Sequence, residues 1–262
     1  MQSRLLYHLR NYMWKRLSKP VVRKTYMGFK VYITPKDEIS RRIYTSGCYE
    51  PLWMNWLREQ LRPGMVFVDA GANIGLYSMM ASRVVGKSGK VIAIEPSERE
   101  YSKLLANVEL NDMRNVRCLN VALWDSVGEK QMKIAGGQHC GHNTFAELIP
   151  SLSLDSIIDV ETIRLDDLEL PRVDFLKMDV EGSEVFALKG AIDTIRRCHP
   201  VLIVEVADIV LHSIGCDGQQ IYDFLRDEGY EFYSFFNEKM RRVWHSEVRL
   251  DNVMAKWRND ES

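Results

Sequence analysis

Four short apolar runs, Met65–Val68, Val91–Ile94, Val173–Met178 and Val201–Val206, are each followed by a stretch of helical spacing. Nearly continuous apolar runs bounded by turn residues indicate strands buried on both faces, as in a parallel sheet covered by helices. Only Asp174 and Lys177 interrupt the third run, and Val116–Val121 is a fifth candidate strand. The helical patterns are Leu76, Met79, Met80, Val84; then Tyr101, Leu104, Leu105, Val108; then Val185, Leu188, Ile192, Ile195; and a short one over Gln219–Arg226. Strand–helix alternation implies right-handed crossovers and a doubly wound, mostly parallel α/β sheet.

The regularity lapses over residues 124–170, which hold Gly136, Gly137, Gly141 and Pro150 between β-like pieces at Gln131–Ala135 and Thr162–Leu165. This stretch reads as a partly β insertion over one end of the sheet, where long loops carry function. Tyr230–Phe236 and Asn252–Lys256 are expected to close the fold as an antiparallel pair. Trp53, Met54, Trp56 and Leu57 read as helical core packing, with a lid over the cleft as the alternative.

Charge divides the chain unevenly. Residues 1–30 carry eight Lys/Arg and no acid, leaving 27 basic against 36 acidic residues in 31–262, a formal −9 within a net charge of −1. The chain is expected to divide into a basic, helical extension over 1–30 and one domain over 31–262. The basic arm suits a solvated helix or docking to an anionic surface, either a peripheral membrane contact or a protein partner. It also has the acid-free character of a mitochondrial transit peptide, without the Ser enrichment. No run approaches the ~20 apolar residues of a membrane span. Five widely spaced cysteines without a CxxC pair indicate reduced thiols and a cytoplasmic protein.

The first apolar run leads into Asp69-Ala70-Gly71-Ala72-Asn73-Ile74-Gly75. In a doubly wound sheet, ligands sit beyond the carboxyl ends of the strands, and Gly71 and Gly75 let bare backbone approach one. A dinucleotide fingerprint would place its second glycine where this chain has Asn73, and Asp69 would repel a pyrophosphate. Asp69 can instead accept from an ammonium group. An amino-acid head on an adenosine tail fits, and S-adenosylmethionine is such a ligand. Glu95-Pro96, at the end of the second run, suits the ribose hydroxyls. Lys177, Asp179 and Glu181 share one face by the two-residue period, which puts carboxylates at the crevice; Gly182 or Ser183 caps the next helix, with Glu184 in its first turn.

At these residues the chain resembles the FkbM-type methyltransferases. The resemblance rests on Phe67–Gly75, Ile94-Glu95-Pro96, Asn120-Val121-Ala122-Leu123 and Lys177–Gly182. Upstream, Ser40–Tyr44 and Gly47–Pro51 add to it. It covers about residues 28–256 and implies a class I, Rossmann-like sheet of seven strands, S-adenosylmethionine as cofactor, and usually O-methylation. It implies that Asp69, Gly71, Ala72, Asn73 and Gly75 hold the methionine part, Glu95 and Pro96 the ribose side, and Asn120 to Ala122 the adenine. Asp179 would lie beside the methyl, and Glu50 would face the same pocket. In its Gln138–Asn143 loop the chain departs from the family's small polar residues, which leaves the acceptor open.

An alcohol acceptor needs a base, and the candidates are Asp179, Glu181, Glu205 and His142. Glu205 ends the fourth apolar run and should point into the same crevice. No metal is assigned. His139, Cys140 and His142 lack a second ligand pair, and Asp179, Glu181 and Glu205 read as acid–base groups ahead of a hard-ion site. The expected acceptor is a small molecule or glycan, with no nucleic acid partner. A nucleic-acid methyltransferase using the basic arm is a rival, weakened by the acidic body and by the absence of an Asn/Asp-Pro-Pro-aromatic tetrapeptide. A nicotinamide-linked oxidoreductase is another, weakened by Asn73 and the incomplete glycine fingerprint, and a catalytically silent module that keeps the cofactor fold is a third.

Overall fold

The architecture comes from a computed structural model, which describes residues 2–35, 37–136, 143–146, 153–244, 247–248 and 250–258. The chain opens with α1 (Gln2–Trp14), a hairpin of β1 (Val21–Lys24) and β2 (Lys30–Ile33), then α2 (Glu38–Ser46) and α3 (Pro51–Gln60). The alternating part follows as β3 (Val66–Ala70), α4 (Leu76–Val85), β4 (Lys90–Ile94), α5 (Glu98–Leu110) and β5 (Val116–Leu119). Three strands of the insertion come next: β6 (Ala122–Leu123), β7 (Gly128–Ala135) and β8 (Leu154–Ile163). The chain then returns through β9 (Phe175–Met178), α6 (Glu184–Lys189), α7 (Ile192–Cys198), β10 (Val201–Ala207), α8 (Asp208–His212) and α9 (Gly218–Asp227). It closes with β11 (Tyr230–Phe236), β12 (Lys239–Arg242) and β13 (Leu250–Trp257).

The central sheet has the order β12-β11-β13-β10-β9-β3-β4-β5. The five strands from β10 to β5 are parallel, and the three beyond β10 are joined by antiparallel pairings. The doubly wound reading stands, but the sheet has eight strands among the described residues where seven were expected. The extra one is β12, a short edge strand of charged residues (Lys-Met-Arg-Arg) with no apolar period to announce it. The expected antiparallel closure is the pairing of β11 with β13. The third helical pattern is two helices, α6 and α7. Gly190 separates them, and a side chain there would meet the Trp124 carbonyl.

Strand alternation sorts the core into two layers. Val68, Ala70, Leu176, Leu202 and Val204 pack with Val185, Leu188, Ile195 and Leu225 on one face. Phe67, Phe175 and Ile203 pack with Trp53, Met54, Leu57, Met79 and Leu104 on the other. Trp53 lies against Phe235 and Trp56 against Phe175, at centroid distances of 5.0 and 6.5 Å, so α3 is core packing. The chain runs outward from β3 to β5, then returns to β9 beside β3. The carboxyl ends of β3 and β9 therefore flank the switch point, where such sheets bind ligands.

Candidate active site

A cavity of about 180 Å³ opens at that point. Its walls come from the β3–α4 bend (Asp69 to Ile74), the end of β4 (Ile94 to Pro96), Val121 with strand β6, Asn143 and Phe145 of the insertion, the β9–α6 turn, Glu205, and helix α2 with the residues leading into α3. Asp69 pairs in register with Lys177 across β3 and β9, and Lys177 with Ile203 across β9 and β10. Residues 69, 177 and 205 therefore share one face, the face that carries α3 and α4. The apolar strands end in polar residues along a single line, which concentrates charge at the crevice.

Lys177, only 2% exposed, donates to Asp179 Oδ2 at 2.8 Å and lies 4.9 Å from the Tyr77 ring centroid. Burial alone would depress its ammonium, but the carboxylates of Asp179, Asp69 and Glu50 outweigh it and hold the pKa above its usual value. Asp69 accepts from Ser78 Oγ at 2.5 Å through Oδ2, while its buried Oδ1 has no partner among the described residues. Burial raises the Asp69 pKa, against the opposing pull of Lys177 and Ser78. Glu50 accepts from the Tyr77 hydroxyl at 2.7 Å and occupies left-handed backbone just before Pro51. Burial raises its pKa as well, against Lys177.

Glu95 accepts from the backbone N–H of Asn73 at 2.8 Å and of Ser97 at 3.0 Å. Burial still pushes it up to about 8, because two amides do not replace full hydration. Asn73 holds left-handed backbone at φ 51°, as its residue type tolerates. Asp179, Glu181 and Glu205 each bring a carboxylate oxygen within 4.8 Å of the others. The charge of Asp179, then burial, drives the Glu205 pKa well above the carboxylate range.

Several expected roles move. Gly75 does not line the cavity. It starts α4, and a side chain there would strike Leu104, so it serves the packing of α5. Gly71 does line the cavity, but its bare backbone is needed because a Cβ would sit 1.8 Å from the Asp179 carbonyl. Asn120 does not line the cavity; its amide donates to the carbonyls of Glu95 and Pro96 at 2.9 and 3.0 Å and ties β4 to β5, while Val121, Ala122 and Leu123 form that wall. Glu181 lies past the end of β9 in a left-handed turn, so it meets Asp179 through the turn and not through strand alternation. Ser183 is the N-cap residue of α6, but its hydroxyl bonds back to the Val180 carbonyl; Glu184 accepts from the N–H groups of Val180 and Gly182. His142, with His139 and Cys140, lies outside the described residues.

Sequence reasoning missed Tyr49 and Tyr77, which line the cavity, and Ser78, which bonds Asp69. Tyr77 and Ser78 had a signal, since the first turn of the helix after the glycine bend faces the crevice. It also missed Asn143, which accepts from the Ala135 N–H at 3.1 Å and donates to Glu100 at 2.8 Å, clamping the insertion against α5.

The model of the family described as "Methyltransferase FkbM domain" matches residues 69–232, from the Asp69 bend into β11. The chain belongs to the FkbM methyltransferase family. Among its relatives is methyltransferase sdnD of Sordaria araneosa, 29% identical over 182 residues, 58% of this chain and 67% of that one. The 31-O-demethyl-FK506 methyltransferase FkbM of Streptomyces tacrolimicus is 28% identical over 200 residues, 64% of this chain and 74% of its own. The crystal structure of methyltransferase FkbM from Methylobacillus flagellatus KT shares the fold, with a TM-score of 0.50 at 18% identity over 84% of this chain and 55% of that one.

The cofactor of this methyltransferase is S-adenosylmethionine. The cleft fits it. The orphaned Asp69 Oδ1 calls for a donor such as an ammonium, Glu95 has lone pairs left for ribose hydroxyls, and Ile94, Val121 and Leu123 offer apolar walls to a base.

Proposed function

We propose that this methyltransferase transfers the methyl group to a hydroxyl oxygen of a small molecule or sugar. S-adenosylmethionine supplies an activated, electrophilic methyl group, so the protein's task is to position the acceptor and take its proton. Asp69 and Glu95 hold the donor, and Asp179 faces the reacting region with its charge steadied by Lys177. The observation that carries the reading is the convergence of Asp179, Glu181 and Glu205 beside that pair. The neighbouring carboxylates raise the proton affinity of Glu205, so its ionised form is a stronger base than a free carboxylate and can take the proton of an alcohol. One relative is named a 31-O-demethyl-FK506 methyltransferase, a name that puts its methyl group on an oxygen.

The test is incubation with labelled S-adenosylmethionine and fractionated small-molecule and glycan extracts, followed by mass identification of the product. A methyl ether is the expected result. A methylated nucleic acid, or a product labelled only on nitrogen or carbon, would overturn the reading.

A further inference from the structure

Helix α1 turns an apolar stripe outward. Leu6, Leu9 and Met13 are 48%, 53% and 50% exposed, and their spacing puts them on one face. Tyr12 is exposed beside them with the Arg16 guanidinium 3.6 Å above its ring centroid. The adjoining flank of the helix is fixed to the body. Trp14 is buried against Tyr44 of α2 at 5.5 Å, and Arg10 donates to the Thr45 carbonyl at 3.1 Å. The stripe is thus held away from the core on a helix that cannot rotate it inward.

The following hairpin repeats the chemistry. Val22 pairs with Tyr32 and Lys24 with Lys30, and all four are exposed. Lys15, Arg16 and Lys19 are exposed between them, within a segment that has no acid over its first thirty residues. A nucleic acid would use the cations and leave the aliphatic stripe in water. Pairing of this face with a second copy about a two-fold axis would press two basic segments together.

We infer that α1 and the β1–β2 hairpin dock the protein on an anionic lipid bilayer. The aliphatic and aromatic side chains enter the headgroup boundary and the lysines and arginines meet the lipid charge. The other side of α2 supplies Glu38, Ile39 and Arg42 to the cleft, so docking places the site close to the lipid surface. The inference holds whatever the methyl acceptor is.

Vesicle co-sedimentation of the full chain tests it, with phosphatidylcholine alone against phosphatidylcholine containing roughly a third phosphatidylglycerol. Binding is expected only to the anionic vesicles, falling at least tenfold in about 0.5 M salt. Leu6→Glu/Leu9→Glu/Met13→Glu is expected to reduce partitioning at least tenfold with cofactor affinity unchanged, which also reports that the variant is folded. Lys15→Glu/Arg16→Glu/Lys19→Glu, confined to exposed positions, is expected to do the same. Wild-type protein that stays in the supernatant at low salt overturns the proposal, as does unchanged binding of both variants. So does a wild-type dimer that the apolar triple variant converts to monomer in sedimentation velocity.

Discussion

Asp69 is nearly inaccessible, yet one of its oxygens has no donor among the described residues. A buried carboxylate oxygen without a hydrogen bond is costly, so its persistence at the switch point marks it for a ligand donor. Asp69→Asn is expected to weaken cofactor binding by about 1.5–3 kcal/mol, tenfold or more in dissociation constant, in titration calorimetry with S-adenosylmethionine. Asp179→Asn should cut turnover far more than binding; equal effects on both would make it a binding group only. Glu95 makes binding depend on pH. Its folded pKa of about 8 lies above the unfolded value, so the folded, ligand-free protein holds a proton that the unfolded chain releases. Stability of that state therefore falls as pH rises from about 4.5 to 8, and Glu184, raised by burial to about 7, adds to the fall. Ribose hydroxyls need the ionised acceptor, so affinity should tighten as pH climbs toward about 8 and level off above it. A flat affinity profile across that range would remove Glu95 from cofactor recognition.

At the scale of elements, the site depends on how closely β9 approaches the bend after β3. Asp179 N–H donates to the Ala70 carbonyl at 3.1 Å, and the Asp179 carbonyl fills the space where any other residue at 71 would put its Cβ. Gly71 also holds φ +76°, which strains an L residue. Gly71→Ala should therefore cost about 2–4 kcal/mol, read as a lowered midpoint in urea unfolding, and should loosen the cofactor site as Asp179 shifts. The same change at Gly86, also at positive φ but with open space around its Cβ position, should cost less. The insertion is likewise part of the site. Its three strands have the order β6-β8-β7, and Phe145 and Asn143 line the cavity. Glu100 anchors it. Burial alone would raise that carboxyl, but Ser97, Lys103 and Arg99 together hold it below its ordinary value.

For the whole molecule, cofactor binding and folding are linked, because the acidic strand ends converge only in the native state. S-adenosylhomocysteine at about 100 times its dissociation constant should add about 2.7 kcal/mol, a rise of roughly 5–10 °C in melting temperature for a chain of this size. Asp69→Asn should cut that rise by about half or more at the same ligand concentration. Much of this molecule was legible in one dimension. The parallel strands announced themselves as apolar runs because both faces are covered, and Asp69, Glu95, Asp179 and Glu205 stood out as the acids that end them. Local rules also gave the helices and the glycine bend. Strand β12 stayed hidden because an exposed edge needs no apolar period, and Asn143 because its partners are 8 and 43 residues away. The reasons for Gly71, Gly75 and Asn120 were equally out of reach, since each depends on a backbone or side chain brought up from a distant segment. The sequence alone thus determined which strands form and which charges lie at their ends, since burial and period act between near neighbours. Only the tertiary structure decided which of those charges meet, because strand order and register bring Lys177 between Asp69 and Asp179 across gaps that no local pattern encodes.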